Sequence, residues 1–350
     1  MLAGGTGTRL RPLTHTMAKQ LVPVANKPVL HYVMQHLRDA GLERIGVIIS
    51  PETGGQIRAA LAPNPWGLDL TYIIQAQPLG LAHAIKVARD YLADDPFVMY
   101  LGDNLIGQGI RAFTHSLTEH GADAAILLKE VPDPRMFGVA EVDGAGRVLR
   151  LIEKPADPPS RLALVGVYMF TPVIHQVIET LQPSRRGELE ITDAIQRLLE
   201  QGRRIASTVM DGWWLDTGKK DDLLEANRVV LDEWTERDLR GDVDAASRVE
   251  GRVALGAGAR LVDAVVRGPS AIGEGTIVER SFIGPYTSIG AGCVVRDSTI
   301  QHLVAMDGVK LLGVPRLEDS IIGRNAVVRR SSGNRSAYRM IVGEDSEIEL

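Results

Sequence analysis

From Met1 to about Asp238, short apolar runs alternate with longer stretches whose apolar residues fall three and four positions apart. The runs predict strands at 45–50, 70–75, 97–101, 124–129 and 163–170, because a strand buried on both faces reads as continuous hydrophobicity. The spaced stretches predict helices at 29–40, 82–92 and 191–201, each turning one apolar stripe toward a core. Strands separated by helices indicate an α/β domain with a mixed, mainly parallel sheet. A last amphipathic stretch, 221–238, carries Leu223, Leu224, Ala226, Val230, Leu231 and Trp234 among many charges. It is expected to close a first domain spanning 1–238.

After a linker at 239–248 the texture changes. Val249, Leu255 and Leu261 recur every six residues, Val266 and Ile272 follow, and Ile277, Ile283 and Ile289 resume the six-residue step. Glycine follows several of them, as in Leu255-Gly256, Ile272-Gly273, Ile283-Gly284, Ile289-Gly290 and Ile322-Gly323. A hexapeptide repeat buries its apolar residue only by stacking on its neighbours, so 249–350 is expected to form a parallel β-helix. An antiparallel sheet with glycine turns is the weaker reading, given so regular a step.

The bulk numbers agree with two cores. The 350 residues exceed a typical single domain of roughly 100 to 200 residues. Hydrophobic residues at 45% and charged residues at 24% exclude a largely disordered or fibrous chain. A formal charge of −5 gives no general attraction to nucleic acid or to an anionic membrane, so a phosphate ligand must be held by locally placed cations. The single cysteine, Cys293, excludes an intramolecular disulfide and a cysteine zinc cluster. Nothing reads as a signal peptide or a membrane span, and a cytoplasmic address is the expectation. The eight histidines show no metal-binding spacing.

The run Leu2-Ala3-Gly4-Gly5-Thr6-Gly7-Thr8-Arg9-Leu10 leaves a strand, turns through three glycines and delivers an arginine. Backbone N–H groups at such glycines approach phosphate oxygens closely, and an arginine adds charge-assisted bonds. Taken alone, the turn is equally a structural device. It is neither a Walker A loop nor the dinucleotide fingerprint. Lys19 follows in Ala18-Lys19-Gln20-Leu21-Val22-Pro23-Val24, where a lysine is ordinarily a solvated charge. The 97–101 run ends in Gly102-Asp103-Asn104, and Trp213-Trp214-Leu215-Asp216-Thr217-Gly218 presents a second aspartate before a glycine. Two hard oxygen ligands suit Mg²⁺, although either aspartate alone reads as a turn residue.

Gly-Gly-x-Gly-x-Arg-Leu followed by Lys-Gln-Leu-x-Pro resembles the signature of the sugar nucleotidylyltransferase family, and segments in matching order cover nearly the whole first domain. The repeat region is similar to the left-handed β-helix appended to the family's long members. The resemblance implies a Rossmann-like nucleotidyltransferase domain and a second, left-handed parallel β-helix domain. It implies thymidylyl transfer from dTTP to glucose 1-phosphate with release of pyrophosphate, Mg²⁺ on Asp103 and Asp216, and catalysis by Arg9 and Lys19. Nucleotide binding would involve Leu2, Ala3, Gly4, Gly5, Thr6, Gly7, Thr8, Gln75, Pro78 and Gly80, with the Gln75 amide reading the pyrimidine edge. Gly138, Glu153, Lys154, Val165 and Arg186 would hold the sugar phosphate.

Two departures stand out. Phe137 stands where many relatives have tyrosine, and relatives usually begin several residues ahead of Leu-Ala-Gly-Gly, so a shortened first strand is the expectation. Other readings are a uridylyl- or other sugar nucleotidylyltransferase, an additional acyltransferase with His302 as its base, and a scaffold resembling translation initiation factor subunits. The scaffold reading calls for an eroded loop, whereas Gly4, Gly5, Gly7, Arg9, Lys19, Asp103 and Asp216 all keep the active pattern. The repeats are expected to mediate homo-oligomer contacts.

Overall fold

The computed structural model describes residues 1–5, 7–218, 220–331 and 344–349. Its packing divides the chain into two compact units. One comprises Met1–Thr6, Met17–Leu21 and Val29–Asp216; the other comprises Gly7–Thr16, Val22–Pro28 and Thr217–Leu350.

In the first unit, apolar runs become strands within a residue or two of the expected positions: Arg44–Ile49, Asp69–Ile74, Phe97–Tyr100, Ala124–Glu130 and Leu162–Phe170. Arg44–Ile49 and Asp69–Ile74 pair in parallel, and Leu2 bridges in parallel to both Ile48 and Leu101. The Met1–Ala3 segment therefore lies between neighbouring strands. The long strand Leu162–Phe170 runs antiparallel to Phe97–Tyr100, Ala124–Glu130 and Gly138–Val142, so the sheet is mixed. Strand direction around Leu162–Phe170 is fixed by connections that an apolar run does not encode.

Helices Val29–Asp39 and Ile191–Glu200 bury their apolar stripes, including Leu30, Val33, Met34 and Leu37 of the first and Ala194, Ile195 and Leu198 of the second. The expected 82–92 helix is two, Leu81–Val87 and Arg89–Leu92, separated at Ala88. Among the described residues no helix is long and apolar enough to cross a membrane.

The second unit is a parallel solenoid of three stacked sheets. Successive rungs pair in register, Val253↔Ser270 and Ser270↔Thr287, a coil of 17 residues that shortens to 16 where Ser288 pairs with Val304. The inward positions are Leu255, Leu261, Val266, Ile272, Val278, Ile283 and Ile289, each at most 2% exposed. The step is thus six, five, six, six, five, six, and Val278 occupies the place that a plain six-residue step gives to Ile277. Gly256, Gly273 and Gly290 stack at one corner. A Cβ on Gly273 would lie 2.5 Å from the Gly290 carbonyl carbon, so the rungs close only without side chains there.

Helix Lys220–Trp234 packs on strands Thr287–Ile289, Leu303–Ala305 and Ser320–Ile322 of the solenoid. Its packing groups it with the second unit, whereas its apolar stripe was expected to close the first; an amphipathic stripe announces burial without naming the partner. Fully buried Asn227 on this helix accepts from Ala25 N–H at 2.9 Å and from Ser288 Oγ at 2.6 Å, and donates to Tyr286 O at 3.0 Å. The hairpin Pro23–Val24 and Lys27–Pro28 is thereby fastened to helix and solenoid, and Asn26 at its tip donates to Ala271 O and Ile289 O.

Candidate functional site

Three residues distant in sequence meet in the first unit. Strand Phe97–Tyr100 leads to Gly102, whose N–H donates to Leu2 O at 2.8 Å. A Cβ at Gly102 would lie 2.6 Å from that same oxygen, so only glycine permits the approach that delivers Asp103 to the strand's carboxyl end. Asp216 arrives on the two-stranded ladder of Asn104–Ile106 with Trp214–Asp216, as the cross-strand partner of Asn104. Lys19, on the 3₁₀ turn Lys19–Leu21 and 7% exposed, bonds its ammonium to Asp103 Oδ2 and lies 3.7 Å from Asp216 Oδ1.

Burial alone would raise the Asp103 carboxyl. The Lys19 ammonium, hydrogen bonds from Lys19 and Asn104, and its own backbone N–H together hold it below the usual carboxylate range. Asn104 Nδ2 donates to Asp103 Oδ1 at 2.9 Å, and Asn104 Oδ1 accepts from the Trp214 indole at 2.6 Å. Two carboxylates thus meet at one ammonium. That donor set fits a hard divalent cation, which takes one or two carboxylates and completes its shell with phosphate oxygens and water. Among the described residues no group of three or more His, Cys, Asp or Glu gathers as a closed metal cage.

Of the residues expected to bind the nucleotide, Gln75 approaches the Gly4-Gly5 turn, and Gln20 approaches it as well. A Cβ on Gly4 would lie 3.7 Å from Gln75 Oε1, and one on Gly5 would lie 3.4 Å from Gln20 Nε2. Gly80 has φ +104° and packs so tightly on Leu189 that a Cβ would come 2.5 Å from its carbonyl oxygen, so only glycine fits. Gln75 Nε2 donates to Gly80 O at 3.2 Å and contacts His83 Nδ1 at 3.0 Å. Pro78 is exposed in the same loop, Leu2 is half-buried and Ala3 fully buried. Thr6 lies outside the described residues. Gly7, Thr8 and Arg9 group with the second unit, where Gly7 (φ 64°) caps the 3₁₀ turn Thr8–Leu10 and accepts from Thr14 Oγ1 at 2.6 Å. Arg9 is exposed there.

Of the residues expected to hold the sugar phosphate, Gly138, Glu153, Lys154 and Arg186 form a second cluster of the first unit. Glu153 accepts from Thr192 Oγ1 at 2.7 Å and pairs with Arg186 at 3.2 Å and Lys154 at 3.3 Å. Arg186 also meets Glu188 at 2.9 Å and Glu190 at 3.5 Å, so a phosphate must exchange with carboxylates to reach it. Glu153 and Arg186 line an open cavity of about 450 Å³. A Cβ on Gly138 would crowd Thr192 Oγ1 at 2.8 Å and Glu153 Oε2 at 3.3 Å. The Val165 side chain is fully buried in the core, so contact with a ligand could come only from its backbone, at the register shift between Leu164 and Tyr168. Phe137 packs on Trp214 with centroids 4.9 Å apart, an apolar contact that needs no phenol.

Four participants escaped the sequence reading. Asn104 and Thr192 orient Asp103 and Glu153, His83 contacts Gln75, and Gln20 is 2% exposed with no partner for its Oε1 among the described residues. The one signal for Gln20 was an amide set between Lys19 and an apolar run.

The nucleotidyl transferase family model matches residues 1–233. Over 351 residues the chain is 47% identical to the glucose-1-phosphate thymidylyltransferase of Streptomyces griseus and 48% identical to that of Streptomyces antibioticus, covering 100% of this chain and 98% of each relative. It is also similar to a Bacillus anthracis structure, assigned as a glucose-1-phosphate thymidylyltransferase and solved with sucrose. That likeness has 34% identity and a TM-score of 0.61, over 65% of this chain and 92% of the other.

Proposed function

This chain belongs to the nucleotidyl transferase family, and from that premise we propose that it transfers a thymidylyl group from dTTP to glucose 1-phosphate, giving dTDP-glucose and pyrophosphate. The observation that carries the reading is the convergence of Lys19, Asp103 and Asp216, on a chain similar over its full length to thymidylyltransferases.

Glucose 1-phosphate is already an anionic nucleophile, so the protein has to align its phosphate oxygen with the α-phosphorus of the nucleotide and offset accumulating negative charge. In this reading the Gly4-Gly5 backbone and Arg9 bind the triphosphate, and Lys19 stabilises charge at the α-phosphate. Asp103 and Asp216 hold a divalent metal, taken to be Mg²⁺, which when bound supplies charge neutralisation at the phosphates. Gln75 meets the base. Glu153 accepts hydrogen bonds from sugar hydroxyls while Lys154 and Arg186 face the sugar's phosphate. Bond formation to the α-phosphorus breaks its bond to the β-phosphate, and pyrophosphate leaves. The solenoid strands hold none of these groups and serve self-association; a monomeric mass for the intact protein in solution would contradict that part.

Incubation with Mg²⁺ and α-D-glucose 1-phosphate, offering dTTP, UTP, CTP, ATP and GTP separately, tests the function through pyrophosphate release. Release with dTTP above the others is the expected result. Preference for UTP would keep the chemistry and change the product, and silence with every nucleotide in folded protein would overturn the reading.

A further inference from the structure

The Gln75 amide can present either its oxygen or its nitrogen to a ligand, and the two choices select different bases. The Gly80 carbonyl can only accept, so the amide atom 3.2 Å from it is nitrogen. The same nitrogen lies 3.0 Å from His83 Nδ1, on helix Leu81–Val87. With both N–H bonds directed at these two acceptors, Oε1 is the atom turned toward the Gly4 turn, where a Cβ on Gly4 would come within 3.7 Å of it. His83 must be neutral and protonated on Nε2 to accept. Burial, with Lys86 adding to it, holds the imidazole below its usual range, which favours that form.

We propose that His83 is a positioning residue for base selection: by accepting from the Gln75 amide it locks Oε1 outward, so the site takes a nucleobase that presents an N–H donor and turns away one that presents a lone pair. Thymine and uracil carry that donor at N3, and cytosine carries an acceptor there. Gly80 holds the amide by a single bond of 3.2 Å, which rotation of the amide would forfeit, and acceptance by His83 adds a second bond to that cost. The inference rests on the thymidylyl-transfer reading and on Gln75 meeting the base.

The test measures kcat/KM for dTTP and dCTP in the wild-type protein and in His83→Leu, His83→Gln and Gln75→Ala. His83→Leu should cut the dTTP-over-dCTP ratio about tenfold or more, through KM for the nucleotide, with KM for glucose 1-phosphate unmoved. His83→Gln, whose amide oxygen can accept the same N–H, should recover most of the ratio. An unchanged ratio in His83→Leu alongside a collapsed ratio in Gln75→Ala would overturn the role of His83 and leave base reading by Gln75 intact. Unchanged ratios in both would overturn base reading itself. N3-methyl-dTTP on the wild-type protein provides a check that needs no variant: it lacks the donor and should be a poor substrate, and use as efficient as dTTP would overturn the outward Oε1.

Discussion

The two units bury polar groups in opposite ways. In the first, Lys19, Gln20, Asn104, Glu190 and Thr192 are each under a tenth exposed, and they gather around Asp103, the Gly5 turn and Glu153. In the solenoid the buried polar side chains are neutral: Ser270 and Thr276 donate to backbone carbonyls of the next coil, and Ser288 donates to Asn227. Charge there stays outside, in rung-to-rung pairs 17 residues apart such as Arg267–Glu250 and Arg280–Asp297. Buried charge is costly unless it is paired or used, and buried hydroxyls are cheap once satisfied. The first unit therefore bears the cost of a buried charged cluster, while the polar groups of the second fix register.

Substitutions can break this contrast. The largest effect belongs to Lys19→Met, which should slow pyrophosphate release about a hundredfold to a thousandfold; steady-state turnover reads it. Next comes Asn227→Leu in the solenoid unit, which strands the Ala25 N–H and the Tyr286 carbonyl. Each buried group left unsatisfied costs about 1–3 kcal/mol, and denaturant unfolding should show the loss. Gly273→Ala forces a Cβ into the Gly290 backbone and should cost about 1–3 kcal/mol by the same measurement. The smallest effect is Arg267→Ala, since its pair with Glu250 is about half exposed; a shift under about 1 kcal/mol is expected. A large loss there would show that the outer ladder, and not the aliphatic interior, holds the coils together.

Much of the solenoid was legible because one aliphatic residue per short repeat leaves no other burial route. Its coil length was not: the interior needs a five-residue step after Leu261 and again after Val278, and a plain six-residue count slides onto Ile277. In the first unit, strands and helices followed from apolar runs and stripes. The candidate site was read only through family resemblance, because Lys19 and Asp103 are 84 residues apart and only the fold brings them together. Residues that orient others, such as Asn104, Thr192 and His83, carry no signal of their own in a linear chain. Each is an ordinary polar residue until a partner from another element meets it.

The most direct test of the account is the turnover of Asp103→Asn across a range of Mg²⁺ concentrations, with thermal unfolding recorded on the same preparation. The substitution keeps the shape of the side chain and removes the charge that faces Lys19. A loss of about a hundredfold to a thousandfold in turnover, with the unfolding transition still cooperative, is the predicted result. Wild-type turnover at every Mg²⁺ concentration would contradict the placement of catalysis at this cluster.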